Sequence, residues 1–201
     1  MRLCNIDYTR FKTALMRYAY TNKVNKRVLE FILKELNLNE TFEDTNSPMH
    51  KCLFSDDLID IKTGYFNVER LNLLGVMHCR HDDIDDRYQN IWAIINPELK
   101  NSIPITKVND LFQGFKILSI DALSDAFNGK NNDGEILYID NLMYLSELNR
   151  RSKPILNKLN QSLSEEVENR TEISLQEFKS AVPEEVFTPT GFRLYVKLSR
   201  V

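Results

Sequence analysis

Apolar residues recur at helical spacing through most of the chain, and polar segments separate the stripes. Phe11, Leu15 and Tyr18 form one such stripe, predicting a helix that Asp7 or Thr9 can cap. A second helix is predicted over 24–36, with Val28, Phe31, Ile32 and Leu36 on its apolar face. Residues 37–58 are polar, contain Pro48, and read as an insertion or long loop. A helix over 68–79 carries Leu71, Leu74, Gly75 and Met77 towards a core. The run His81-Asp-Asp-Ile-Asp-Asp86 then interrupts the pattern, as a solvated linker or as a cap for the next helix. That helix, from about 87 to 95, carries Ile91, Trp92, Ile94 and Ile95 and is closed by Pro97. Helices are predicted over 120–127 and 140–148, and Pro154 fits the first turn of another, whose stripe is Ile155, Leu159 and Leu163. Beyond Pro183 and Pro189, Phe192, Leu194, Val196 and Leu198 alternate with Arg193, Tyr195 and Lys197, which predicts an extended, strand-like tail over 184–201 that adds a strand to a partner or docks across its own lobe.

Composition narrows the class. Six glycines and six prolines in 201 residues favour helices over a turn-rich β fold. A net charge of −3 is too small for long-range attraction to nucleic acid or acidic membranes. No run approaches the apolar length of a membrane span. Cys4, Cys52 and Cys79 are widely spaced and odd in number, and no secretory leader pattern is seen, so reduced thiols in a cytosolic setting are expected. There is no nucleophile elbow, P-loop or dinucleotide-binding glycine pattern, so the chain reads as non-catalytic. His50, Cys52, Cys79 and His81 form an H-x-C and C-x-H set that fits no familiar zinc spacing.

The sequence's most distinctive stretch is 129–140, G-K-N-N-D-G-E-I-L-Y-I-D. Gly134 stands sixth, where a sharp turn needs it; Ile136 stands eighth, where a short β-bridge can form; Asp140 stands twelfth. Partial copies surround it. Ile6 precedes Phe11 at similar spacing, Gly64 and Phe66 precede Arg70, Ile105 lies in 101–112, and Ile173 lies in 166–177 ahead of Glu177 and Phe178. Taken as bridge residues, Ile6, Phe66, Ile105, Ile136 and Ile173 are 60, 39, 31 and 37 positions apart.

On these residues the chain resembles the EF-hand superfamily, in its calmodulin-like and calaxin-like style. The resemblance implies an all-α fold of helix–loop–helix pairs in two lobes, 1–81 with the insertion at about 37–58, and 86–201 with its tail. It also implies calcium ligands at loop positions 1, 3, 5, 7, 9 and 12. Position 1 of the best loop is Gly129, which leaves Asn131, Asp133, Asp140 and the backbone carbonyl of Glu135 as a weak site, of about millimolar affinity. As a plain turn, the same loop would use Asp133 and Asn131 to satisfy backbone donors. The other loops carry Arg70, Pro104 or Arg170 where an ion site needs oxygen ligands or freedom to turn. The implied function is a non-catalytic scaffold or adaptor. It would hold amphipathic helices of partner proteins largely independently of calcium, in an axonemal (ciliary), cytoskeletal or other large cytoplasmic assembly. No cofactor is expected; the alternative is a calcium sensor with one working loop.

Overall fold

A short unit recurs along the chain: an apolar strand residue, a capping residue, then a helix. The computed structural model describes residues 2–19, 24–38, 50, 53–55, 58–60, 62–122, 136–167 and 170–199, the side chains of 136–142 excepted. Among these residues the protein is mainly helical, with eight α-helices and five very short strands.

Helix α1 (Tyr8–Tyr18) starts where the Asp7 carboxylate accepts the Thr9 amide at 2.8 Å. Strand β1 (Val24–Asn25) leads into α2 (Lys26–Glu35), with Asn25 accepting from the Val28 amide at 3.0 Å. Strands β2 (Ile59–Asp60) and β3 (Tyr65–Phe66) form a hairpin, and Asn67 caps α3 (Val68–His78) by accepting from the Arg70 amide. The hairpin turn needs Gly64, whose φ of +68° lies in the left-handed region. Asp83 caps α4 (Ile84–Ile95), so the acidic run is the first turn of that helix as well as a link. Strand β4 (Ser102–Pro104) precedes α5 (Ile105–Lys116), which continues as a π-helix over Ile117–Asp121. The long α6 (Ile136–Glu166) is followed by β5 (Glu172–Ser174) and α7 (Leu175–Ala181), the latter opened by a full Ser174–Glu177 capping box. A 3₁₀ turn (Glu184–Phe187) and α8 (Pro189–Leu198) complete the chain.

The strands pair in two antiparallel groups. In one, Val24 and Ile59 both face Phe66, giving the order β1-β3-β2. In the other, Ile103 faces Ile173 across β4 and β5. Three expected bridge residues therefore move. Ile6 precedes a cap and a helix like the others, but Asp7 makes an isolated parallel bridge to Arg80, with Arg80 N donating to Ile6 O at 2.8 Å. Ile105 is helical and Ile103 takes its place, because Pro104 stands where the other units carry a capping side chain. Ile136 is the first residue of α6 and not a strand residue. Val24, expected in a helix, is in β1.

Two helical readings also change. Pro154 lies inside a continuous α6 instead of starting a new helix. The tail is α8, not a strand. Thr188 caps it, Pro189 fits its first turn, and Phe192 and Val196, one turn apart, are fully buried, whereas Leu194 and Leu198 are exposed. Four apolar residues at alternate positions contain two i,i+4 pairs, and the cap decides which period applies. Of the expected insertion 37–58, residues 39–49, 51, 52, 56 and 57 lie outside the described residues.

Buried apolar side chains form one cluster that runs through both halves. Glycines permit two close approaches within it: a Cβ on Gly75 would lie 2.4 Å from the Phe11 ring, and one on Gly114 2.7 Å from Leu73. These close approaches set α1 against α3, and α3 against α5.

Candidate functional site

Two loops face each other across the β4–β5 bridge. The first connects α4 to β4. Its Asn96 is almost fully buried and folds the loop on itself: Oδ1 accepts from the Lys100 amide at 3.0 Å, and Nδ2 donates to the Lys100 carbonyl at 2.7 Å. This side chain satisfies backbone groups that a bound ion would otherwise help organise. Lys100 also pairs with Glu98 at 2.6 Å, in open solvent.

The second loop connects α6 to β5. Glu177 is its chemical centre. One carboxylate oxygen accepts from the Ser174 amide at 2.8 Å and the Ser174 hydroxyl at 2.7 Å; the other accepts from the Arg170 guanidinium. Arg170 in turn donates through Nε to the Val167 carbonyl at 3.0 Å. The Ser174 amide and hydroxyl, and then Arg170, hold the Glu177 carboxyl down at about 2. The loop therefore carries its own cation, and its last carboxylate is fully engaged by donors of the chain. Among the described residues of this loop, the donor set does not offer the several free oxygens around one point that a divalent ion needs. A further hydrogen bond joins the two strands, from the Ser102 hydroxyl of β4 to Glu172 of β5.

The residues expected to hold calcium fall elsewhere. Asn131, Asp133 and Glu135 lie outside the described residues, and Asp140 lies in the first turns of α6, its side chain also outside them. Arg70 lies in the first turn of α3, after the hairpin. Of the histidine–cysteine set, Cys52 is outside the described residues. Cys79 is buried, and burial pushes its thiol up to about 12. His81 stacks on Tyr8 with ring centres 5.1 Å apart and bonds the Val76 carbonyl at 2.9 Å, while His50 packs beside Phe54. Among the described residues, no group of three or more His, Cys, Asp and Glu side chains is placed to hold a metal. No described helix is long and apolar enough to cross a membrane.

An aromatic-lined groove lies in the C-terminal half. Tyr88 and Trp92 of α4, Phe115 of α5 and Phe178 of α7 line it. The chain's own C-terminal segment fills it: Phe187 lies 4.6 Å from Tyr88 and 5.8 Å from Phe115, and Phe192 lies 6.3 Å from Phe115. Of the two roles expected for the tail, it docks on its own half, but as a helix; the signal for the helix is the Thr188-Pro189 cap followed by the Phe192/Val196 pair.

No family model matches the chain, and no curated protein or solved structure matches it.

Proposed function

We propose that the chain is a non-catalytic, EF-hand-like scaffold or adaptor that binds partner proteins without using calcium as a switch. The units led by Val24, Phe66, Ile103 and Ile173 correspond, on this reading, to four hands paired two by two, in lobes divided near 82–86. The observation that carries the calcium independence is the Arg170–Glu177 pair. In an EF-hand frame over 166–177, Glu177 is the twelfth-position carboxylate and Arg170 the fifth-position residue, so a guanidinium meets the group that would close around calcium. A fixed internal cation gives a fixed lobe. The capping box, the bridge and the buried cores then persist with no ion to add or remove. Partners of this reading are amphipathic helices of a larger, cytoplasmic or cytoskeletal assembly such as an axoneme.

Affinity purification from cells in calcium and in chelator tests it. The same partners should be retained in both; partners lost on chelation overturn calcium independence. Calorimetry with calcium on the parent chain and on Asp133→Ala addresses 129–140 separately: the expected result is no binding heat in either.

A further inference from the structure

A polar opening of about 520 Å³ lies between α5 and α6, within the size range of small-molecule sites. Among the described residues that line it, only Leu156 is apolar, and none is acidic or aromatic. Facing helices ordinarily meet through apolar stripes, so a polar seam of this width forgoes packing. Three of its side chains are cationic: Lys116 of α5, and Arg150 and Lys153 of α6.

Two of these cations are held in place. The π-helical turn brings Asp121 to Lys116, five residues earlier, and its carboxylate accepts from the ammonium at 2.9 and 2.8 Å. Both side chains are largely shielded, at 20% and 22% exposed. The Glu147 carboxylate accepts from Arg150 through Nε at 2.9 Å and Nη2 at 2.7 Å. Asp121 and Glu147 are not among the lining residues, so the cations, not their counter-ions, face the opening. Lys153 has no ion pair among the described residues. The side-chain amides of Gln113, Asn149 and Asn157 likewise have no hydrogen-bond partner among them. Asn149, Lys153 and Asn157 recur every fourth residue and so stand in one row along α6. Ser152 is fully buried and spends its hydroxyl on the Asn149 carbonyl at 2.7 Å, so its small side chain leaves room without competing for a ligand.

The free groups are of two kinds. Fixed cations select an anion, and a guanidinium suits phosphate in particular. Primary amides both donate and accept, which matches hydroxyl groups. No aromatic ring among the lining residues can stack a base, and a single leucine offers an acyl chain little surface. We infer that the α5–α6 opening binds a small phosphorylated polyol, its phosphates at Lys116, Arg150 and Lys153 and its hydroxyls at Gln113, Asn149 and Asn157. Against the two carboxylates that hold Lys116 and Arg150, the unmatched charge is that of Lys153, which makes Lys153 the main determinant of affinity. The same chemistry occurs in free polyol phosphates and in lipid headgroups. The site is independent of the scaffold reading.

Calorimetry on the full chain with inositol trisphosphate as the probe tests it. Saturable one-site binding is expected, weakened by added salt. Inositol, without phosphate, is expected not to bind, and pyrophosphate, without the polyol, to bind at least tenfold more weakly. Lys153→Ala is expected to lower affinity for the probe at least tenfold. Lys34→Ala, which removes the same charge from the last turn of α2, should leave it unchanged. No binding by the parent, equal losses in the two variants, or pyrophosphate binding as tightly as the probe overturns the inference. If Lys153→Ala does not fold, amide chemical shifts of the parent decide: changes confined to 113–116 and 149–157 support the site, and changes scattered over surface lysines overturn it. Co-sedimentation with vesicles containing phosphatidylinositol bisphosphate separates the two sources. Pelleting that depends on Lys153 assigns the site to a headgroup; binding of the free probe alone assigns it to a soluble ligand, and either result supports the site.

Discussion

The aromatic cluster under α8 and the cleft beside α1 treat apolar side chains differently. In the C-terminal half, the aromatic groove is covered by Phe187, Phe192 and Val196, each fully buried. In the N-terminal half, Phe31 on α2 is 57% exposed and Met16 on α1 is 54% exposed. Met16 also lines an open cleft of about 480 Å³ with Lys12, Phe66, Val68 and Ile94, where α1, the start of α3 and α4 meet. Large apolar residues face solvent in both halves, since Leu99, Met143, Leu194 and Leu198 are exposed as well; the contrast is between a filled aromatic cluster and an open cleft.

The largest effects should come from breaking the covered side. Phe192→Ala or Phe187→Ala removes a fully buried ring from the groove and should cost about 3–5 kcal/mol in urea unfolding. Phe31→Ala, by contrast, should stay within about 0.5 kcal/mol of the parent, because its ring is already in water. Equal losses at the two sites would erase that contrast.

Next is His78, at the end of α3. Burial first, and the nearby Arg193 guanidinium as well, lower its imidazole to about 4. The unfolded chain therefore takes up a proton that the folded one refuses. This contribution to stability is intact above the unfolded value near 6.5 and is lost progressively as pH falls from there through about 4, on the order of 3 kcal/mol in full. Unfolding measured from pH 7 to 4 should show this slope in the parent, and His78→Gln should flatten it; an unchanged slope rejects the assignment.

A smaller effect is expected where α1 and α3 pack closely. Gly75→Ala places a methyl against the Phe11 ring and should destabilise by about 1–3 kcal/mol, despite the better helix propensity of alanine. The same change at an open helical site would stabilise, so the sign of the shift reports the packing of α1 on α3.

The smallest belongs to the paired loops. Glu177→Ala breaks the capping box and frees Arg170, and should cost about 1 kcal/mol. Because the Glu177 carboxyl is held at about 2, its contribution is complete above the ordinary value of 4.5 and is lost as pH falls through about 2. The difference in unfolding free energy between parent and variant should therefore be constant from pH 5 to 7 and shrink below 4.5. Addition of calcium should leave it unchanged; a calcium-dependent difference would show that the loop accepts the ion after all.

Local units are legible in the amino-acid sequence. The α1, α3 and α4 stripes, the caps at Asp7 and in the 82–86 run, the turn at Gly64 and the bridge residues Phe66 and Ile173 all follow from neighbours a few positions apart, through propensity and capping. Pairing is not legible there. Ile6-Asp7, Phe66-Asn67 and Ile173-Ser174 share the same apolar–cap–helix order, yet the first meets Arg80 in a parallel bridge while the others form antiparallel pairs. Strand partners are chosen by how helices pack across long separations, which a local pattern does not encode.

The same division holds for chemistry. By itself the sequence determined that the 166–177 loop carries Arg170 and Glu177 and that the tail carries Phe192 and Val196 at a spacing compatible with strand or helix. Only the tertiary structure decided that the guanidinium closes on the carboxylate, and that the tail is a helix with its aromatic residues in a groove built far earlier in the chain, around Tyr88, Trp92 and Phe115. Charge and periodicity are properties of neighbouring residues. Burial is a property of what they fold against, and it is burial that selects one of two permitted periods and turns a side chain from ligand into filler.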